Sequence, residues 1–332
     1  MKELNDKETE TGEETPKKKK KIFNIFDWFY RDGKVDEKDD IKALENPTFA
    51  NFFRLMWKKL GKLMSANLIM VFGNFPIIFL LLASSGILSK TSVAPLYQAW
   101  APLAGISLFQ DDAVTSALLG IYGVHTEINV INTPTRVFFL LGLLIIFTWG
   151  FTKVGTTYIY RNLMSGEAVF PFSDFIYIIK RNIKQSLLFG IIDVILISVF
   201  GYNLYFLISN YASSTMNAVM LFMTVAMAIV YFFMRPYVYI MIFTFDLSMG
   251  QIIKNALYFV ILGVKRNFAV LGGTLLLAAL NYALFLIITP IGIILPFVIT
   301  LSIADFAGVY GAYPKILQYM VDKEDAPQTE EE

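Results

Sequence analysis

The sequence is dominated by apolar runs that are long enough to cross a lipid bilayer. A transmembrane helix needs about 20 mostly apolar residues, because each residue adds about 1.5 Å to the length of an α-helix. Thr289-Pro290 predicts a tight hairpin between the last two runs, since proline cannot continue a helix interior. The pattern predicts an all-α polytopic membrane bundle of six transmembrane helices. The predicted spans are residues 63–88, 137–157, 186–209, 217–240, 268–288 and 291–311.

The composition excludes several kinds of chemistry. Cysteine is absent and His125 is the single histidine, so thiolate metal sites, cysteine nucleophiles and multi-histidine metal sites are excluded. The spaced motifs of nucleotide-binding loops, serine hydrolases, zinc proteases and dinucleotide-binding folds are also missing. We therefore expect a non-enzymatic protein without a metal or a cofactor, and we do not expect nucleic acid as a partner.

The ends of the chain and its one long loop differ in composition from the spans. Residues 1–21 and 321–332 are charged and contain few apolar side chains, which predicts disordered tails. Residues 22–47 form an aromatic segment at the cytoplasmic membrane surface, and residues 48–320 form the six-span domain. Residues 89–135 are the long external loop. Within it, residues 111–124 predict a short helix that either covers a pocket or packs over the ends of the spans.

Lysine and arginine lie mostly before the outward-going spans. Short loops rich in these residues stay in the cytoplasm, so both termini are predicted to be cytoplasmic in a multi-pass plasma-membrane protein. The external loop has only Lys90 and Arg136, near its two ends. The basic residues expected to face lipid headgroups or a partner are Lys17, Lys18, Lys19, Lys20, Lys21, Lys58, Lys59, Lys62, Lys180, Arg181, Lys184, Lys265 and Arg266.

An amphipathic stretch ending in a basic cluster precedes each outward-going span. Apolar residues share one helical face in residues 49–60 and 172–183, and more weakly in residues 252–260. Such helices lie in the membrane interface, which predicts three interfacial helices on the cytoplasmic side. An interfacial helix, a span out and a span back would then form three helical-hairpin repeats. The alternative is that the resemblance between the three stretches is common to multi-pass proteins.

Four ionisable residues lie inside the spans, namely Lys153, Asp193, Arg235 and Asp305. A charge at a helix centre costs about 2.5–3.5 kcal/mol on insertion scales, so it persists where it is paired or useful. Counted along the helices, all four fall in the inner leaflet, about 5–10 Å from the boundary. They are a candidate intramembrane polar site for a solute or a proton. The alternative is a structural set of ion pairs, with Lys153 reaching back to the interface.

Uncharged residues of the spans predict contacts between helices. Asn74 and Asn281 lie near the membrane midplane, where an amide can hydrogen-bond to a neighbouring helix, and Asn67 and Asn203 add further polar groups. Small residues on the last span predict close helix packing, either within the bundle or between subunits. These small residues are Ala304, Ala307, Gly308, Gly311 and Ala312.

Four stretches of the chain resemble a known family. They are FDWFYRDGKVDEKDD, FFRLMWKKLGKLMSANLIMVFGNFPI, YIYRNLMSGEAVFPFSDFIYIIKRNIKQSLLFG and FTFDLSMGQIIKNALYFVILGVKRN. In content and order they are similar to the YesL-like family (domain of unknown function 624) of multi-pass membrane proteins of Gram-positive bacteria, over residues 22–320. Asn67, Leu68 and Pro76 match the Asn-Leu pair and the proline of that family's first span. Two departures are a longer first external loop and the stretch IIFLLLASSGILSK after Pro76.

The resemblance implies a role in sugar uptake, because members are often encoded beside carbohydrate ABC transporters and glycoside hydrolases. We therefore expect an accessory or assembly partner of a carbohydrate ABC importer, with the lipid bilayer and the permease subunits as its partners. The alternative is a stand-alone transporter or channel for a small solute, with its polar site at the four in-span charges. An intramembrane enzyme ranks third, because only Asp193 and Asp305 are available as catalytic groups.

Overall fold

The computed structural model describes residues 47–85, 90–95, 125–130 and 133–321. Both predicted tails (apart from residue 321), residues 22–46 and the predicted loop helix at 111–124 lie outside the described residues. In chain order the described elements are α1 (Phe49–Lys58), α2 (Leu60–Gly73), α3 (Pro76–Ser84), β1 (Lys90–Pro95), β2 (His125–Val130), α4 (Thr133–Gly142), α5 (Ile145–Met164), α6 (Pro171–Arg181), α7 (Ile183–Ser209), α8 (Thr215–Thr244), α9 (Met249–Leu262), α10 (Val264–Ile287), α11 (Thr289–Leu295) and α12 (Leu301–Ile316).

The spans correspond closely to the predicted apolar runs. Within the described ranges, five helical stretches are long and apolar enough to cross a membrane, and α2 with α3 makes a sixth if that bent pair is one span. The other spans are α4 with α5, α7, α8, α10, and α11 continuing through α12. The all-α polytopic bundle is therefore confirmed, and the chain is an integral membrane protein with several spans.

The first span, which was predicted over residues 63–88, is bent. The axes of α2 and α3 differ by 59° at the break between Gly73 and Pro76. Pro76 has no backbone N–H and its ring collides with the preceding turn, so a helix cannot run through it unbroken. The carbonyl oxygen of Met70, just before the break, accepts both the backbone N–H of Asn74 at 3.1 Å and the Asn74 side-chain amide at 3.0 Å.

The hairpin predicted at Thr289-Pro290 is present. α10 ends at Ile287 and α11 begins at Thr289, with Pro290 in its first turn, where a missing N–H costs nothing. Gly292 lies against the backbone of Phe285, and a Cβ at this position would collide with it. This glycine therefore allows the tight approach of the two helices. A π-helical turn, Pro296–Thr300, then joins α11 to α12.

A short helix precedes the first, third and fifth spans, as the amphipathic pattern predicted. These helices are α1, α6 and α9, and each is separated from the following span by a single residue: Lys59, Asn182 and Gly263. The three junction residues share nearly the same backbone conformation, with φ between −121° and −97° and ψ between 9° and 28°. The structure therefore repeats one helix–junction–span unit three times along the chain.

The third copy differs from the prediction in where its basic residues lie. Lys180 and Arg181 end α6, whereas Lys265 and Arg266 follow the junction and belong to the first turn of α10. The basic cluster was therefore wrongly placed at the end of the third amphipathic helix. The positions of the basic residues did not predict where the third amphipathic helix ends, because its junction residue, Gly263, is uncharged.

Two short strands stand at the ends of the segment that was predicted as a loop. β1 and β2 pair antiparallel, with Lys90 opposite Val130 and Pro95 opposite His125. Both sequences, KTSVAP and HTEINV, are rich in β-branched residues, which favour extended backbone. The lengths of the apolar runs did not predict this pairing, because both strands are too short and too polar to be recognised as spans.

The helix α5 lies at the centre of the bundle and contacts α2, α6, α7, α8 and α12. Its closest neighbour is α7, and the two backbones meet at Gly150 and Gly190. A Cβ on Gly150 would collide with the carbonyl oxygen of Ser186, and a Cβ on Gly190 would collide with Gly150. Small residues allow such close helix crossings in membranes, where packing rather than the hydrophobic effect holds helices together.

We expect Gly190→Ala to destabilise the protein by about 1–3 kcal/mol, because the added methyl group overpacks the crossing of α5 and α7. Gly201→Ala is the matched control on the same helix, since no described atom lies within 4 Å of a Cβ at Gly201. The control gains helix propensity and should be neutral or slightly stabilising. Thermal unfolding of the detergent-solubilised variants, followed by size-exclusion chromatography, measures the difference. Equal midpoints for the two variants would contradict the crossing.

Candidate functional site

The four in-span charges form two ion pairs. Arg235 on α8 binds Asp193 on α7 through two hydrogen bonds, Nε to Oδ1 at 2.8 Å and Nη2 to Oδ2 at 2.9 Å. Lys153 on α5 pairs with Asp305 on α12, with 2.6 Å between Nζ and Oδ2. The first pair is the more deeply enclosed, because the Asp193 side chain is fully buried. The structure therefore brings together the four residues that the sequence singled out.

Three aromatic side chains complete the environment of Asp193. The hydroxyl of Tyr231 donates to Oδ1 at 2.6 Å. The hydroxyl of Tyr239 donates to Oδ2 at 2.5 Å, and the indole N–H of Trp149 donates to the same oxygen at 2.8 Å. With the two bonds from Arg235, the carboxylate accepts five hydrogen bonds from four side chains. A carboxylate offers about four lone-pair sites, so its acceptor capacity is filled.

Trp149 connects the two ion pairs. Its ring lies 5.2 Å from Nζ of Lys153 and 5.8 Å from the guanidinium carbon of Arg235, in addition to its hydrogen bond to Asp193. Cation–π contacts of this kind contribute about 0.5–2 kcal/mol, the larger values applying where water is excluded. A single side chain on the central helix therefore links α7, α8 and α5 and brings the second pair beside the first.

Helical spacing explains why these groups meet. Tyr231, Arg235 and Tyr239 recur every four residues on α8, so their side chains lie on one face of that helix. Trp149 immediately precedes Gly150, at the point where α5 and α7 cross, and Asp193 lies one turn beyond Gly190 on α7. The contact of the two glycines brings the indole within reach of the carboxylate. The same four-residue spacing places Lys153 one turn after Trp149 on α5.

Trp149, Tyr231 and Tyr239 were not predicted as part of the site. The available signal was the spacing of four residues from an in-span charge: Trp149 to Lys153, and each tyrosine to Arg235. Aromatic residues are so abundant in this chain that composition alone did not distinguish these three. Their hydroxyl and indole groups could be assigned a role only once the structure showed that they bond to the Asp193 carboxylate.

A second polar cluster surrounds the break in the last span. Asn67 on α2 is fully buried, and its amide nitrogen donates to the carbonyl oxygens of Pro296 at 3.0 Å and Phe297 at 2.7 Å. Its amide oxygen accepts the backbone N–H of Ser302 at 2.8 Å. The Asn67 amide is thus inserted between the N–H of Ser302 and the carbonyl of Phe297. The Ser302 hydroxyl donates to the hydroxyl of Tyr160 at 2.9 Å.

The other in-span asparagines differ in their roles. Asn281 donates to the carbonyl oxygen of Gly292 at 3.2 Å, the group that loses its helical partner because Pro296 has no N–H. This bond joins α10 to α11, as the prediction of contacts between helices required. Asn74 bonds only to its own helix, at Met70, and Asn203 is exposed on α7.

The small residues of the last span are used in two ways. Gly308 lies against Pro236 of α8, where a Cβ would come within 3.2 Å of the proline ring, and Ala312 is buried. This side packs within the bundle, as one of the two predicted alternatives required. Ala304, Ala307 and Gly311 instead line a cavity between α12, α10 and α1.

The predicted lipid-facing or partner-facing basic residues lie in several environments. Lys62 is a correction, because it is buried and its Nζ donates to the carbonyl oxygen of Val169 at 2.9 Å, on the segment that leads into α6. Arg266 is half-buried and lines the cavity beside α12. Lys58 and Lys59 are also half-buried. Lys180, Arg181, Lys184 and Lys265 are exposed, and Lys17 to Lys21 lie outside the described residues.

The chemistry available to the network follows from its filled hydrogen bonds. Among the described residues, no group of three or more histidines, cysteines, aspartates or glutamates is arranged to hold a metal ion. The Asp193 carboxylate has its acceptor sites occupied, whereas Asp305 is 29% exposed and is paired with Lys153. The arrangement joins α5, α7, α8 and α12 by charge, and the Lys153–Asp305 pair is its more accessible part.

Comparison with known protein families, with curated proteins and with solved structures finds no match to this chain. The resemblance to the YesL-like family therefore stays a prediction from the four sequence stretches.

We expect Asp193→Asn to destabilise the protein by about 3–5 kcal/mol, because it leaves Arg235 charged and without its partner inside the bundle. Arg235→Gln should cost a similar amount. The double variant should lose less than the sum of the two, since neither charge is then unpaired. The thermal midpoints of the wild type, the two single variants and the double variant, measured in detergent, give the coupling free energy between Asp193 and Arg235. Asp246→Asn, which changes an exposed carboxylate between α8 and α9, is the control. Additive losses would show that the two residues do not act as a pair.

Asn67→Ala should destabilise the last span, because the backbone N–H of Ser302 and the carbonyls of Pro296 and Phe297 lose this partner, at about 1–3 kcal/mol for a group left buried and unpaired. Asn203→Ala removes an exposed asparagine from another span and serves as the control. Hydrogen–deuterium exchange of peptides covering residues 296–302 should rise in Asn67→Ala and stay unchanged in Asn203→Ala. Unchanged exchange at the π-helical turn in both variants would contradict the role of Asn67.

Proposed function

We propose that this chain is a non-enzymatic accessory membrane protein that acts by contacting other membrane proteins. One observation carries the proposal: the most buried charge of the spans, Asp193, has its acceptor sites filled by side chains of the same chain. A solute or a proton would have to break that network before it could bind. Buried charges that are paired within the chain fix the positions of the helices relative to one another. A protein that presents a rigid surface to a partner needs helices fixed in this way.

The contact surface of the proposal is the side of the bundle that carries α1, α6 and α9. On α6, Phe172 is 70% exposed and Tyr177 is 55% exposed, beside the exposed Lys180 and Arg181. Aromatic and arginine side chains are the residues that most often dominate protein–protein contacts. The excess of basic residues on this side supports a cytoplasmic orientation, with both termini inside the cell and the bundle in the plasma membrane.

The partner we propose is the permease of a carbohydrate ABC importer. This part of the proposal depends on the resemblance to the YesL-like family and on the neighbourhood of that family's genes. The sequence adds that the chain has no nucleotide-binding motif of its own, so any coupling to ATP hydrolysis would come from a partner.

A second candidate is a small-solute transporter, and one observation favours it. The Lys153–Asp305 pair is partly accessible, with 11% and 29% of the two side chains exposed. It lies one to two turns from the π-helical turn of the last span, and π-helical turns often occur at functional sites. If the chain moves a solute, this pair, rather than Asp193, is its binding site.

We expect crosslinking of the full-length protein in native membranes to capture importer permease subunits. The double variant Phe172→Ala/Tyr177→Ala should lower the capture, because losing two exposed aromatic anchors weakens an interface by about tenfold or more. The matched control is Tyr205→Ala/Phe222→Ala, which removes a similarly exposed pair, 73% and 75%, at the far ends of α7 and α8. Quantitative mass spectrometry of the crosslinked material measures permease recovery.

Three results would count against this proposal. Absence of permease subunits from the crosslinked material would contradict the partner, and equal recovery from both double variants would contradict the α6 surface. Solute flux by the purified protein in proteoliposomes, lost in Asp305→Asn while the protein stays folded, would favour the transporter instead. The Asp246→Asn variant provides the control for the flux measurement.

A further inference from the structure

An apolar cavity of about 240 Å³ opens between α1, α10 and α12. It lies apart from the charge network and shares no lining residue with it. α10 forms its long wall, and Asn267 is the one buried residue on that helix, all of which is described. α10 therefore contacts α11 and α12 but leaves one apolar groove beside it that other helices of the described structure do not fill.

Small residues keep the groove open. Gly273 of α10 lines it together with Ala304 and Ala307 of α12, and no described atom lies within 4 Å of a Cβ built at Gly273. The two helices approach closely at Gly311, where a Cβ would collide with Val270. Larger side chains at Gly273, Ala304 and Ala307 would fill the space that remains beside this contact. The small residues of α10 and α12 therefore line the part of the groove that stays open.

The groove is longer than one leaflet of a bilayer. Its lining on α10 runs from Arg266 to Leu280, which is fourteen steps of about 1.5 Å along the helix, or about 21 Å. The hydrocarbon core of a bilayer is about 30 Å thick, so one leaflet occupies about 15 Å. A lipid acyl chain therefore fits the groove lengthwise, starting at the membrane surface where α10 begins.

The entrance of the groove is positively charged. Arg266 lies in the first turn of α10, and its Nη1 is buried without a hydrogen-bond partner among the described residues. Lys315 on α12 is close enough to Arg266 for the two charges to repel each other. Deeper in the groove, the buried hydroxyl of Thr274 also has no partner in the described part of the chain. A phosphate at the entrance would accept the Arg266 donor and neutralise both cations.

We propose that this groove is a binding site for one anionic phospholipid. One acyl chain lies along α10 between Gly273 and Ala307, and the phosphate binds Arg266 at the membrane surface. The positive charge of Arg266 favours an anionic headgroup, and the length and apolar lining of the groove favour an acyl chain. The lipid would cover the apolar side of α10 that borders the groove. This inference is independent of the proposed partner.

The test uses the purified full-length protein and native mass spectrometry with phosphatidylglycerol and phosphatidylcholine. Wild-type protein should retain phosphatidylglycerol in preference to phosphatidylcholine. Gly273→Leu should abolish that preference by filling the groove. Gly272→Leu is the matched control, since it adds the same side chain at the neighbouring position, where a Cβ also meets no described atom but does not line the groove. It should retain phosphatidylglycerol as the wild type does.

A second pair of variants tests the headgroup. Arg266→Gln should lower the preference for phosphatidylglycerol by about fivefold, because a basic residue near the membrane surface contributes about 1 kcal/mol to binding an anionic lipid. Lys265→Gln, which removes the neighbouring exposed charge, should change it much less. Inorganic phosphate that competes as well as phosphatidylglycerol would show an anion site without a lipid chain and overturn the proposal.

Photo-crosslinking of the wild-type protein tests the lipid site even if a variant does not fold. Phosphatidylglycerol with a diazirine on its acyl chain should label wild-type peptides covering residues 269–280 and 303–311. Labelling spread evenly over all spans would show ordinary contact with the bilayer and overturn the site. Absence of label from these peptides would show that another part of this chain, such as residues 22–46, or a second protein occupies the groove.

Discussion

The buried ion pair between Asp193 and Arg235 is the constraint on which the packing of the bundle depends. Inside a membrane an unpaired charge is costly, so each of these residues requires the other at hydrogen-bond distance. The two side chains belong to α7 and α8, and Trp149 extends the contact to α5, the central helix. Once this geometry is fixed, the crossing at Gly150 and Gly190 and the position of Lys153 beside Trp149 follow from helical spacing.

Backbone groups impose a second constraint of the same kind. No water is available in the hydrocarbon region, so every N–H and carbonyl of a broken helix needs a partner within the protein. Asn67 supplies three such bonds to the last span, and Asn281 supplies one at Gly292. The irregular backbone of the last span is therefore tolerated because side chains of α2 and α10 bond to its backbone groups.

Packing is uneven along and around the bundle. The second half of α8, from Tyr231 to Phe243, is largely buried, whereas its first half is mostly exposed. The tightly packed end carries α1, α6 and α9, and α10 stands outside with little burial. A rigid end with exposed aromatic residues suits a contact with another protein. An outer helix with a groove beside it suits a bound lipid.

The sequence alone determined the number and approximate limits of the spans, the three preceding amphipathic helices and the four residues of the two ion pairs. It could do so because the bilayer imposes length, apolarity and charge cost residue by residue along the chain. The tertiary structure alone decided the bend at Pro76, the strand pairing, the inward position of Lys62, the roles of Trp149 and the tyrosines, and the groove beside α10. Each of these depends on which side chain of another helix occupies the neighbouring position, and the spacing of residues along one helix does not specify that neighbour.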